Sequence, residues 1–151
     1  MEPSPDVIVA LTREVCGTVL DMSPEPIHVD AAPLVTEVMA SVHVTGDWQG
    51  AVVLLCSQAF AEQATEAMFA AEPGTTTQSD LDDAIGELAN MIGGNIKNRL
   101  SVPCKLSLPT VVSGTALKAR FPGARLTTDL RFALPAGTLA VQVHRKAQPT
   151  A

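Results

Sequence analysis

The stretch Ser79 to Leu100, SDLDDAIGELANMIGGNIKNRL, is the longest strongly periodic segment of the chain and sets the frame for the rest. At about 100° per residue, Leu81, Ile85, Leu88, Ala89, Ile92, Ile96 and Leu100 share one arc, the core-facing side of an amphipathic helix. Nearly opposite stand Asp83, Glu87, Asn90 and Gly94, spaced four, three and four apart, so that their side chains form one line. A face that only meets water would more naturally carry Lys, Arg, Gln and Glu, which favour helix more than Asp, Asn and Gly do. This face gives up helix propensity for small polar groups, as a site would. Ser79 with Asp82 three residues on suggests an acidic capping box, and Asp80 to Asp83 at the start with Lys97 and Arg99 at the end suit the helix dipole.

The chain of 151 residues is long enough for one domain, and nothing in it marks a boundary between two. Aromatic residues are only 3%, with no Tyr and one Trp, so the core must be aliphatic and bases cannot be stacked on aromatic rings. A net charge of −6 argues further against nucleic acid. Cys16, Cys56 and Cys104 are widely spaced without a CxxC, which reads as free thiols in a reducing compartment. His28, His43 and His144 are scattered, so no metal site is legible. The N-terminal stretch MEPSPDVIVALTREVCG lacks a basic leader, and no run approaches the ~18–20 apolar residues of a membrane span. A cytoplasmic domain without membrane attachment is the expectation.

Taken in order, Ser4-Pro5 opens a first helix with Ile8, Leu11, Val15, Val19 and Met22 along one side, stopped by Pro24 and Pro26. Residues 27–30 form a candidate short strand before the alanines around Pro33. EVMASVHVTG (37–46) and GAVVLLCS (50–57) read as a hairpin about Gly46–Gly50, and the unbroken apolar run of the second strand predicts a central, doubly buried place in the sheet. Ser57 caps a helix to about Phe69, with Phe60, Ala64, Ala67 and Met68 inward. After Pro103 come strands over 105–114, 124–135 and 136–146; Leu126, Thr128, Leu130, Phe132 and Leu134 alternate toward the core, and Pro135-Ala136-Gly137 turns the last hairpin. The expected fold is α+β: a single domain over 1–151 with an antiparallel or mixed sheet of about five to six strands and helices on one face. Residues 1–4 and the tail from Ala147 are expected to be flexible.

Several chemistries have no support: there is no GxSxG elbow, Walker A loop, HExxH or dinucleotide fingerprint, and Gly93-Gly94 lies inside a helix. Cys56 and Cys104, in apolar strands with no His close in sequence, make poor nucleophiles. An E-x-x-N pair alone could arise in any helical protein, and by spacing alone a solvated face is the plainer reading. The wider pattern is more specific. D-x-x-x-E-x-x-N from Asp83 to Asn90, continued as MIGGNIKNRL and then SLPTVVSG (107–114), resembles the CheX/CheC/FliY family of chemotaxis phosphatases, and the single motif and chain length look most like CheX.

That resemblance implies hydrolysis of the phospho-aspartate of a CheY-like response-regulator receiver domain, a two-component signalling activity. It implies that Asn90 orients the attacking water, that Glu87 pairs with the receiver's active-site lysine, and that Asp83 fills the family's small polar position. Gly94 would leave room beside the stripe for the partner's loops. No cofactor of its own is implied, the receiver supplying Mg2+; a homodimer with exchanged edge strands is. The CheC-type signature carries a proline a little more than twenty residues after its Asn, whereas here Pro103 and Pro109 follow Asn90 after twelve and eighteen intervening residues, Pro109 being the better match. Glu14-x-x-Gly17 in the first helix lacks the amide of a second motif, so one active face per chain follows. The alternative is a non-catalytic adaptor or flagellar-switch module that binds a receiver through the same face.

Overall fold

The computed structural model describes residues 2–30 and 34–147. The Ser4 hydroxyl accepts from the Val7 N–H and Pro5 takes the first turn of α1 (Pro5–Val15), whose buried side carries Ile8, Leu11, Thr12 and Val15. The helix continues into a π-helical turn, Cys16–Leu20, closed by Asp21 in the left-handed region (φ 54°). The wider turn brings Cys16 and Leu20 to the core and leaves the expected Val19 and Met22 only partly buried. At the other end of the segment, the Glu2 carboxylate accepts from the Thr127 hydroxyl at 3.0 Å.

β1 (Glu25–Ile27) begins two residues earlier than the expected 27–30 and includes Pro26, which an edge strand tolerates because its missing N–H faces no neighbour. The alanines and proline at 31–33, Met1 and the tail from 148 lie outside the described residues. β2 (Val38–Gly46) and β3 (Gly50–Cys56) form the expected hairpin. The Trp48 ring in its turn is buried and lies over Gly50, where any Cβ would strike it. α2 (Gln58–Phe69) is capped by Ser57 as expected, but its inward side is Phe60, Ala61, Ala64 and Thr65; Ala67 points outward, one step beyond that arc. α3 (Gln78–Asn98) follows, then β4 (Cys104–Leu106), β5 (Thr110–Ser113), β6 (Ala124–Leu134) and β7 (Gly137–Lys146).

The strands make one seven-stranded sheet in the order β1-β6-β7-β3-β2-β4, with β5 also on β2, and every pairing is antiparallel. The α+β arrangement is the expected one; the strand expected over 105–114 is divided at Leu108-Pro109 into β4 and β5. β3 is central, and every residue from Ala51 to Cys56 is buried, as its unbroken apolar run required. The main core lies between the sheet and the helices, and the other face carries a smaller apolar layer in which Leu34, Leu117, Ala119 and Phe121 cover Ala51, Val53, Leu55 and Ala140. Phe121 stands edge-on between His43 and His144, with ring centroids 5.2 and 5.1 Å away. In β6 an extra residue, Thr127, interrupts the pairing with β7 between Leu126 and Thr128. The bulge turns Leu126 away from the main core, so that it is exposed and lines a cleft of about 540 Å³ on the far face.

Candidate functional site

The cap of the long helix lies two residues before the expected one. Thr77, not Ser79, is the N-cap: its hydroxyl accepts from the Asp80 N–H at 3.1 Å, and the Asp80 carboxylate accepts from the Thr77 N–H at 2.9 Å. Thr-x-x-Asp satisfies the two orphan donors reciprocally, which Ser79 inside the first turn cannot do. Asp82 instead accepts from the Gln78 side-chain amide, which also reaches the Ser113 hydroxyl and ties the helix start to β5. The sheet-facing arc is buried as the spacing requires: Leu81, Ile85, Leu88, Ala89, Ile92 and Ile96, with Leu100 just beyond the helix end.

On the outward line, Asp83 and Glu87 are exposed, while Asn90 and Gly94 are half-buried. None of the Asp83, Glu87 and Asn90 side chains has a hydrogen-bond or ion-pair partner among the described residues. Unpartnered polar groups on a helix of 21 residues, packed along its length, are held in place by the backbone and not by each other. The carboxylate can accept from a cation, and the amide can both accept from and donate to a water molecule.

Glycines set how closely the rest of the molecule approaches this line. Gly93 lies against Val42, whose side chain a Cβ would overlap, so the helix comes down onto β2 there. Gly86 faces Pro109 and Val111, each 3.4 Å from where its Cβ would stand. A Cβ on Gly94 would be 3.8 Å from Leu106, an ordinary contact; there is space for a methyl group, with Leu106 as its boundary. Segment 106–111 therefore runs alongside the helix from Gly94 back to Gly86. Sequence reasoning did not foresee this ledge as a wall of the site, although a proline in a strand pattern was its signal.

Other candidate chemistries find no support. Burial pushes the Cys16 thiol up to about 11 and, with the Glu37 carboxylate adding to it, the Cys56 thiol up to about 12, so neither is a thiolate near neutrality. Among the described residues there is no group of three His, Cys, Asp or Glu that could hold a metal, and no helix long and apolar enough to cross a membrane.

The fold is that of several solved structures. A chemotaxis protein CheX from Vibrio vulnificus superposes with a TM-score of 0.79 at 18% identity, over 93% of this chain and 95% of that one. A chemotaxis protein CheX from Desulfovibrio desulfuricans gives 0.76 at 23% identity, over 93% and 97%. CheX from Borrelia burgdorferi, in a CheX–CheY–BeF3–Mg2+ complex, gives 0.78 at 16%, over 95% and 99%. Comparison with curated protein sequences finds no match. The sequence model of the family described as chemotaxis phosphatase CheX matches residues 38–131, from the start of β2 into β6 and including all of α3, and the chain belongs to that CheX family.

Proposed function

We propose that the protein is an aspartyl-phosphate phosphatase acting on a CheY-like receiver domain, with Asn90 and Glu87 as the working side chains. The observation that carries the reading is that both lie unpartnered on the outward side of one rigid helix, one turn apart. An acyl phosphate is already activated, so what it requires is a water held in line with the phosphorus more than a strong base. The Asn90 amide can hold that water and cannot deprotonate it. Attack by the water oxygen forms the new P–O bond as the bond to the aspartate oxygen breaks, releasing inorganic phosphate and a free carboxylate. Glu87 is the anchor: its exposed carboxylate pairs with the receiver's active-site lysine and sets the register in which Asn90 meets the phosphoryl group. Asp83 extends the same acidic line, and the small Gly94 admits the partner's loops.

The receiver brings the phosphoryl group and its Mg2+, so the helix needs neither a cleft nor a metal of its own. The Borrelia burgdorferi relative, whose structure pairs CheX with CheY, BeF3 and Mg2+, supports a receiver as the partner class. The test is phosphate loss from a panel of phosphorylated receiver domains with the wild type, Asn90→Ala and Glu87→Ala. Acceleration that disappears in Asn90→Ala supports the reading. Binding without acceleration by the wild type would overturn catalysis and leave a receiver-binding adaptor.

A further inference from the structure

The break between β4 and β5 is a bulge with a specific consequence. β4 pairs with β2 at Val44↔Leu106 and Thr45↔Lys105, whereas β5 pairs at Ser41↔Thr110 and Ala40↔Val111, so the register shifts by one residue between them. His43 is taken by Ser107, whose N–H donates to the His43 carbonyl at 2.8 Å and whose hydroxyl accepts from the His43 N–H at 2.9 Å. Leu108 and Pro109 are then left opposite the single residue Val42. Two residues against one at a sheet edge bend the strand and re-aim a side chain.

Both flanks of the bulge are fixed. The Ser107 hydroxyl donates to the Leu108 carbonyl at 2.9 Å, and the Pro109 ring rests on the helix at Gly86. Between them Leu108 stands out of the protein, 89% exposed, more than any other large apolar side chain among the described residues. A single exposed leucine is ordinary on a protein surface. One that a bulge extrudes, between two anchored neighbours and beside an unpartnered polar line, is a different matter.

Its position relative to that line follows from the helix contacts. Leu106 meets Gly94 and Pro109 meets Gly86, so Leu108 flanks the intervening turn, which carries Asn90. Around the helix, Gly86 lies about 40° to one side of Asn90 and Glu87 about 60° to the other. Asn90 is thus bracketed by an apolar knob on the ledge and a carboxylate on the open side. An apolar contact next to a charged contact is how a protein interface divides affinity from orientation.

We infer that Leu108 is an apolar docking contact for the receiver domain, seating it on the ledge while Glu87 sets its charge register and Asn90 faces the phosphoryl group. This rests on the receiver reading given above. The occupant is a receiver and not the same face of a second copy because the knob adjoins the acidic line of Asp83 and Glu87: face-to-face pairing would bring like charge to it, whereas a receiver's phosphorylation site brings a lysine. Leu108 is a positioning residue and touches none of the reacting atoms.

The experiment uses the full chain with Leu108→Ser and, as a control on the far face of the sheet, Leu126→Ser. Two readouts are taken: the dissociation constant for a beryllofluoride-activated receiver, and the dependence of phosphate release on phosphorylated receiver concentration. Loss of one buried leucine corresponds to roughly tenfold or more in binding. Leu108→Ser is expected to raise the dissociation constant and KM together by about that factor with kcat within about twofold, and Leu126→Ser to change neither. Unchanged binding and KM in Leu108→Ser, with an active wild type, would overturn the docking role alone. A wild type that binds without hydrolysis would remove the phosphatase reading, and the dissociation constants of the two variants would still decide the role of Leu108. A wild type that binds no receiver overturns both.

Discussion

Gly93 lies so close to Val42 that the helix backbone rests on the valine side chain, with no volume left for a Cβ. One residue on, Gly94 has Leu106 at an ordinary 3.8 Å from the position its Cβ would take. Two adjacent glycines in one helix thus have opposite uses. Gly93 sets how deeply α3 sits on the sheet, while Gly94 thins the outward line. Gly93→Ala is expected to destabilise the fold by about 1–3 kcal/mol through overpacking. Gly94→Ala is expected to stabilise it by up to about 1 kcal/mol, the usual gain of alanine over glycine within a helix. Urea unfolding of the two variants checks both signs, and equal effects would show that the two positions are not distinguished as described.

A bulkier side chain at Gly94 reaches the partner. Gly94→Leu is expected to keep the fold, measured by circular dichroism, while reducing receiver binding by an order of magnitude or more, because a branched side chain would stand where the partner approaches. Full phosphatase activity in that variant would show that the partner does not use this space.

Asn90→Ala is expected to lower kcat for phospho-receiver hydrolysis on the order of 10²-fold while leaving the dissociation constant within about threefold, since it removes water positioning and no anchoring contact. Glu87→Ala is expected to act mainly on binding, with KM raised about tenfold and a weaker dependence on salt than the wild type. The measurement is a full concentration series at two ionic strengths.

The cap can be assigned by substitution. Thr77→Ala is expected to cost about 1 kcal/mol in unfolding free energy, and Ser79→Ala to stay within about 0.5 kcal/mol. The reverse order would place the start of the helix at Ser79 after all.

His144 supplies a pH dependence. Burial lowers the pKa of its imidazole, only partly offset by the Asp129 carboxylate; Gln142 is bonded to the ring at 3.0 Å, and Phe121, with His43 on its other side, packs against it. A base with a folded pKa below its unfolded value binds its proton more readily when unfolded. Its stabilising contribution is therefore fully present above about pH 6.5 and is lost as pH falls from there through the folded value. Unfolding free energies between pH 8 and 5 should decline on the acid side, and His144→Phe should flatten that decline.

Much of this architecture is written in local sequence. The spacing of Leu81, Ile85, Leu88 and Ile92 identifies α3 and its buried side, Ser4-Pro5 and Ser57 mark two helix starts, and the run from Ala51 to Cys56 identifies the central strand. These features are legible because each depends on periodicity or on a cap within a few residues. What was missed depends on partners far away in the chain. Choosing Thr77 over Ser79 turns on where the preceding loop enters the helix. The bulge at Thr127 that turns Leu126 outward arises from pairing with β7, and the bulge at Leu108-Pro109 arises from pairing with β2 under a helix brought close by Gly93. The outward line itself was legible as Asp83, Glu87, Asn90 and Gly94, but the ledge beside Asn90 was not, since it comes from a segment about twenty residues later that only the tertiary fold brings alongside.

The buried Trp48 has a practical consequence. It is the sole tryptophan of a chain that also lacks tyrosine. Its ring is 1% exposed in the turn joining β2 to β3, with no hydrogen-bond partner for the indole nitrogen among the described residues. Intrinsic fluorescence therefore reports one place only, the closed end of the central hairpin. Emission from a dry indole is blue-shifted and moves to the red when water reaches it. Melting of the sheet will be read directly in that shift, without a label and without background from tyrosine.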